Sequence, residues 1–340
     1  MAGPVVTDRN LRQALTTSMY DRSPGVQDLV YNSLPITAAL RERGAVRAYD
    51  GGPEIRVPLL IDKLGAQWFT GYDKLNIVPK ELVNSAVFTP KRVTSMFSLT
   101  GTELLYNQGR AQIIDIMELY LNSSQEGIRE AMETAIVADG TGAGGRQMVG
   151  LGGALPVLAN TGTYGGIDRA QHALWRTTTY SVPAGDFSDI GTTWDTTTAR
   201  AILSRIALNR SKGGRYAKLA IAHPTAYEAI ENSMVAHQRI VNSSGAMGRL
   251  GFRALEVMTG VGPIEVVAAG GIGSVMPENT IYLLDLEGLE LVYHPNNNMV
   301  PMHDGDGAKP VNQDAIAQGY VWTGELVMRN PRFQVRLITA

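Results

Sequence analysis

The sequence predicts an α+β protein organised around one long helix. Three observations carry this. From Arg110 to Ala138, apolar or small residues recur at Ile113, Ile116, Met117, Tyr120, Ser124, Gly127, Ile128, Ala131, Met132, Ala135 and Ile136, a helical spacing that no proline interrupts. Between Asp50 and Leu99, two arms rich in Val, Phe, Thr and Ser flank an irregular middle. From residue 196 to 293, capped helical stretches alternate with short apolar runs, the pattern of a mixed α/β module.

The helix, if complete, is roughly 40 Å long at ~1.5 Å per residue. Ser123, Ser124, Gly127, Ala131 and Ala135 make a small-residue face that another element can approach closely, and Asp139-Gly140-Thr141-Gly142 stops the helix. A rod of this kind is expected to back a sheet.

The 340 residues suggest about two domains. Only 18% are charged, below the usual ~25%, which points to extensive buried or shared surface. A net charge of -2 and the absence of any Lys/Arg-rich run argue against a dedicated nucleic-acid reader. With no cysteine, disulfides and thiolate metal sites are excluded, in keeping with a reducing cytoplasm. MAGPVVTDRN carries no basic-then-apolar signal and no apolar run approaches ~18 residues, so secretion and membrane spanning are not expected.

In chain order, residues 1–30 read as a polar arm, followed by a short helix over Asn32–Arg43 with Ser33 as cap, Pro35 in the first turn and Gly44 as stop. Glu54–Ile61 reads as a strand and Ala86–Leu99 as its return, with Pro58 and Pro90 suiting edge or bulged strands. An isolated two-stranded ribbon is marginal in water. It either lies on another subunit or folds back on its own domain. Gly140–Gly166 is a glycine-rich connection. Residues 167–195 form an irregular segment in which Trp175, beside Arg176, is an interface anchor or a core residue. Helices are expected over 196–212 and from His223-Pro224-Thr225 onward, with strands at Lys218–Ala222, Ile264–Ala268, Thr280–Leu286 and Leu289–Tyr293. Gly270-Gly271 reads as a turn, and residues 294–312 as a polar loop. Asp314–Leu337 supplies closing strands with Asn330-Pro331 as their turn.

No catalytic constellation emerges. Gly140, Gly142 and Gly145 match G-x-G-x-x-G, but that mechanism requires a strand before the motif and a helix after it, and here a helix precedes. Of His172, His223, His237, His294 and His303, none forms H-x-x-x-H or H-E-x-x-H. His294, His303, Asp304 and Asp306 come closest to a metal set, within one loop, although Asp-Gly pairs are usually plain turns. No catalytic, cofactor or metal residue is therefore assigned. The sequons at Asn122 and Asn242 are read as chance.

The order arm, two-armed loop, long helix, α/β module and return strands resembles the major capsid protein of tailed double-stranded DNA bacteriophages, the Hong-Kong-97-type capsid fold. NSSQEGIREAMETAIVADGTG resembles that family's spine helix and its glycine-rich exit. GLGGALPV with TYGGIDRA, MPENTIYLLDLEGLEL and WTGELVMRNPRFQVRLI resemble later segments. The likeness covers nearly the whole chain and contains no invariant catalytic signature.

The resemblance implies an N-terminal arm (1–50), an extended loop (51–104), a peripheral domain (105–180 and 311–340) and a mixed α/β axial domain (181–310). It implies hexamers and pentamers closing into an icosahedral head in the virion, assembled in the bacterial cytoplasm, and no enzymatic activity. The partners implied are the chain itself, a separate scaffolding protein, a portal and a decoration protein. Packaged double-stranded DNA would be contacted weakly and non-specifically, with Arg9, Arg12 and Arg22 as inner-surface groups. Some relatives crosslink a loop lysine to an asparagine; Lys63, Lys74, Asn312 and Asn330 are the corresponding residue types here. Two alternatives stand beside this reading: an encapsulin-like nanocompartment shell, and a soluble α/β enzyme using the His294–Asp306 loop.

Overall fold

The computed structural model describes residues 37, 40–41, 44–60, 62, 64–75, 79, 82–106, 116–234, 254–269, 276–302 and 314–340. The expected N-terminal arm therefore lies mostly outside the described residues, as do residues 110–115 of the predicted long helix. In chain order the described elements begin with β1 (Val46–Ala48), β2 (Ile55–Leu60), β3 (Val83–Phe88), β4 (Lys91–Thr100), α1 (Gly101–Tyr106) and α2 (Ile116–Val137). Then come β5 (Thr163–Tyr164), β6 (Ile167–Asp168), β7 (Thr178–Ser181), α3 (Ala199–Asn209), β8 (Leu219–Ala222) and α4 (Pro224–Met234). The chain closes with β9 (Ala254–Met258), β10 (Pro263–Ala268), β11 (Thr280–Leu284), β12 (Leu289–Pro301), β13 (Ala315–Met328) and β14 (Val335–Ile338).

The chain divides into two compact units. Among the described residues, one holds those of Arg92–Met132 and Asn296–Trp322, and the other those of Ser33–Lys91, Glu133–Pro295 and Thr323–Ala340. A four-stranded sheet has the order β1-β12-β13-β4.

In the first unit, the spine helix α2 backs β4. Strand β4 alternates, with Arg92, Thr94, Met96 and Ser98 exposed and the intervening residues covered, as one-sided burial requires. On the covered side, Ser124 Oγ donates to Ser95 O (2.7 Å) and Phe97 stacks on Tyr120. A Cβ at Gly127 would stand 3.3 Å from Ser95 Oγ. The small-residue face thus packs as its composition suggests. Strand β13 approaches β4 as closely: Thr94 Oγ1 donates to Tyr320 O (2.8 Å), and a Cβ at Gly319 would overlap Ser95 O.

The Gly127 contact yields a graded prediction. Gly127→Ala asks only a small movement of Ser95 Oγ and gains up to ~1 kcal/mol of helix propensity, so it is expected to be neutral or stabilising. Gly127→Leu has no room and is expected to cost ~2 kcal/mol, read by urea unfolding of the two variants side by side.

In the second unit, a mixed sheet has the order β7-β14-β11-β8-β10-β9. The β7–β14 and β8–β10 pairs are parallel and the others antiparallel. Helices α3 and α4 bury one stripe each. Ala199, Ile202, Leu203, Ile206 and Ala207 of α3 sit at i, i+3, i+4, i+7 and i+8. Together with Ala226 and Ile230 of α4 they meet Ala220, Ala222, Ile264, Val266, Ile281, Leu283, Val335 and Leu337. Just before α3, the Asp195 carboxylate accepts from Thr197 Oγ1 (2.6 Å), Thr197 N (2.7 Å) and Thr198 N (3.1 Å), which hold it down at about 2. Tyr282 and Arg336 pair across β11 and β14, with the guanidinium 5.7 Å from the ring centroid.

Several boundaries differ from the sequence reading. The predicted return strand Ala86–Leu99 is two strands, β3 and β4, divided at Thr89-Pro90, because proline cannot donate to a ladder. Strand β12 continues to Pro301, so the expected polar loop does not begin at His294; alternate burial runs through Asn296–Val300 despite the asparagines. Strands β7 and β9 were not foreseen. Thr178–Ser181 reads as polar loop by composition, yet β14 supplies its partner. Thr100 and Glu103 form a capping box at α1, with Thr100 N donating to Glu103 Oε2 (2.9 Å) and Glu103 N to Thr100 Oγ1 (3.3 Å), a T-x-x-E signal present in the sequence.

Candidate functional site

The element that stands out is the ribbon β2–β3. Its register is Ile55↔Phe88, Val57↔Ala86 and Leu60↔Val83. Pro58 is tolerated because a two-stranded sheet consists of edges. The two ends differ in kind. At the base, Ile55, Val57, Ala86 and Phe88 are buried. Val87 N donates to Gly165 O (2.9 Å). Gly165, at φ +58°, has no room for a side chain, since a Cβ would stand 2.9 Å from that of Ala86. Phe88 meets Tyr164 edge-on at 5.2 Å. Towards the tip, Leu60, Leu64, Phe69, Leu75 and Val83 are exposed, and Trp68 and Tyr72 are bare, at 102% and 106%. The folded-back reading holds for the base, which packs on its own unit, and the tip is uncovered in the single chain. Large apolar side chains grouped on an exposed loop mark an interaction surface.

The base rests on a polar cluster within the same unit. Trp175 is buried, stacks on Tyr164 at 6.0 Å and donates its indole N–H to Tyr164 O (2.9 Å). It is a core residue. Tyr164 Oη donates to Leu326 O (3.4 Å) and accepts from Met328 N (3.2 Å). Arg169, also buried, lies over the Tyr164 ring and donates to Gly153 O (3.1 Å) and Ala154 O (2.8 Å). Burial raises the Tyr164 phenol, reinforced by the charge of Glu325, and lowers Arg169. Arg176 ties the segment back on itself by donating to Arg169 O and Ala170 O.

Glu325, on β13, is 2% exposed. Its Oε1 accepts from Val149 N (2.8 Å), and its Oε2 is buried without a partner. Burial pushes this carboxyl up to about 8 against an ordinary 4.5, with only partial relief from the Val149 hydrogen bond and Lys91. Sequence reading missed it. The available signal was a lone acid inside the apolar run of Val321–Met328.

The stability consequence has a definite sign. Between pH 4.5 and about 8 the folded chain keeps a proton that the unfolded chain has lost, so stability falls as pH rises through that window. Below it there is no cost; above it the cost is full, roughly 5 kcal/mol at ~1.4 kcal/mol per pH unit. Glu325→Gln removes this cost but leaves amide protons unpaired at ~1–3 kcal/mol. The variant is expected to be ~2 kcal/mol more stable near pH 8 and no more stable near pH 4, measured by denaturant unfolding at both values.

The glycine-rich connection leaves the end of α2 through Gly140 (φ +86°) and a left-handed turn at Ala143, Gly144 and Gly145, ordered as a helix stop rather than a phosphate cradle. It then folds over the last turn: Gly150, Gly152 and Gly153 lie directly against the carbonyls of Ala135–Asp139. These glycines are where the backbone must come close, which a reading of the stretch as a plain connection did not anticipate.

The other residues singled out from the sequence do not gather. His294 lies in β12 with its ring 5.1 Å from Tyr49. His303, Asp304, Asp306, His237 and Asn242 lie outside the described residues. His223 Nδ1 pairs with Thr225 Oγ1 (2.8 Å) at the start of α4, and His172 leads into a 3-10 turn. Lys74 is exposed at the ribbon tip, and Asn330 accepts from Arg332 N (3.3 Å) to cap a turn. Lys63, Asn312, Arg9, Arg12 and Arg22 also lie outside the described residues. Among the described residues no group of three or more His, Cys, Asp or Glu could hold a metal ion, and no helix is long and apolar enough to cross a membrane.

No protein-family model matches the sequence, and no curated protein matches it. Solved structures do. The cyanophage A-1(L) capsid asymmetric unit superposes with a TM-score of 0.64 at 15% identity, covering 93% of this chain and 96% of that one. The chain has the Hong-Kong-97-type capsid fold. The capsid of Myoviridae phage XM1 shares this fold over 100% of both chains, with a TM-score of 0.55 and 10% identity. So does the holo-SrpI encapsulin complex from Synechococcus elongatus PCC 7942, at 0.52 and 12% identity over 99% of this chain and 96% of that one. In a capsid fold the long ribbon, spine helix and mixed module are expected parts, and the uncovered ribbon tip becomes the feature that asks for a function.

Proposed function

We propose that this chain is the shell-forming subunit of a tailed-phage head, a major capsid protein that assembles with copies of itself into hexamers and pentamers around packaged double-stranded DNA. The observation that carries the reading is the bare aromatic tip on a ribbon whose base is anchored, in a chain that has the capsid fold. A second copy covers the tip, and many such contacts per shell add by multivalency. The contacts are heterologous and close into rings. The division into arm, extended loop, peripheral domain and axial domain belongs to this reading, as do a separate scaffolding protein, a portal, a decoration protein and a location in the virion. The chain's work is structural rather than catalytic.

Negative-stain microscopy and light scattering of the expressed chain, alone and with its scaffold, test the proposal. Closed particles of uniform size are expected. A persistent small monomer under both conditions overturns it. The encapsulin likeness supports a second reading, a nanocompartment shell. Purified particles carrying DNA and a portal favour the first reading, and particles carrying a folded protein cargo favour the second. Denaturing gels of intact particles decide whether a lysine–asparagine crosslink forms: a ladder above the monomer band is its signature.

A further inference from the structure

The glycine-rich connection after α2 is tied down by two side chains, both from strands. Lys91 Nζ, at the start of β4, donates to Gly145 O (3.0 Å). Glu325 Oε1, on β13, accepts from Val149 N (2.8 Å). The two ties are not alike. Lys91 is partly exposed, whereas Glu325 is sealed in, with no hydrogen-bond partner for its second oxygen. Among the described residues, the charged and titratable groups that face Glu325 are Lys91 from β4 and Tyr164 from β5. Arg169 stands over the Tyr164 ring and donates through one Nη to Gly153 and Ala154, while its Nε is buried without a partner; the cation that acts on Glu325 is Lys91. Lys91 is thus the cation that can receive an ionised Glu325. It is the same ammonium that holds the other end of the connection.

We propose that Glu325 and Lys91 form a proton-operated latch on the connection that follows the spine helix. As the neutral acid, Glu325 stays inside and holds Val149 N. When it loses its proton to solvent, the carboxylate has a buried charge and one unsatisfied oxygen. It turns from Val149 toward the Lys91 ammonium, which gives up the Gly145 carbonyl. Both ties then release together, and residues 140–150 open over the last turn of α2, whose carbonyls they had covered. The carboxyl's position at about 8 places this release just above neutrality. The latch concerns the subunit's own interior and does not depend on the shell reading.

Amide hydrogen exchange of residues 140–150 in the full chain, at about pH 6.5 and about pH 9 and corrected for the intrinsic rate, tests it. Wild-type protection is expected to fall at least ~10-fold between the two, with the midpoint near 8. Glu325→Gln is expected to keep its protection at both values. In Lys91→Met the carboxylate has lost its counter-charge, and the midpoint is expected to move up by about one pH unit or more. Equal wild-type protection at the two pH values overturns the latch, as does a Gln variant that opens like the wild type. A Lys91→Met midpoint equal to the wild type overturns the transfer to Lys91. The wild-type and Lys91→Met measurements carry the test even if the Gln variant does not fold.

Discussion

Gly150→Ala is expected to destabilise the subunit by at least ~3 kcal/mol. The cause is space, not backbone strain, because Gly150 has an ordinary φ of -85°. A Cβ built there overlaps the carbonyl oxygens of Ala135 and Ile136, in the last turn of α2. Those are backbone atoms inside a helix, so neither can move aside without breaking the helix that carries them. The alternative is to lift the connection, which also removes Val149 N from Glu325 and uncovers Leu151, which is fully buried. Gly65 is the control: it has no neighbour within 4 Å of a built Cβ and no positive φ, so Gly65→Ala should stay within ~0.5 kcal/mol of wild type. Urea unfolding of the two variants reads the difference. A small loss at Gly150 would mean that the connection stands off the helix end.

Trp68→Ala/Phe69→Ala/Tyr72→Ala is expected to abolish particle formation while leaving the subunit folded. Trp68 and Tyr72 are bare in the isolated chain, and Phe69 is mostly so, so their removal takes little from the subunit's own packing. Its unfolding midpoint should match wild type to within ~0.5 kcal/mol. At an interface the same side chains are anchors, each worth ~2 kcal/mol or more when covered. The loss recurs at every subunit, so a modest change per contact removes the shell. Sedimentation and microscopy read assembly, and circular dichroism reads folding. Normal particles from the triple variant would show that the tip is not the contact that closes the shell.

Much of this was legible in the chain itself. A 3.6-residue rhythm free of proline marks α2 whatever surrounds it, because the apolar stripe must be buried for a helix of that length to persist. The stripe of α3 follows from the same rule. The order of elements was enough to anticipate the capsid fold, and Gly127 and Ser124 announced a close approach. These features are local: propensity, period and capping act within a few residues. What lies across the chain was decided only by the tertiary structure. Whether the ribbon folds back or stands free depends on Gly165 and Tyr164, some eighty residues from its base, so no spacing within the ribbon reveals it. Thr178–Ser181 is a strand only because β14 offers it a ladder. Glu325 reads as an ordinary acid until β13 is laid against Val149 and Tyr164 and water is excluded, for a carboxyl's charge state depends on what surrounds it in space.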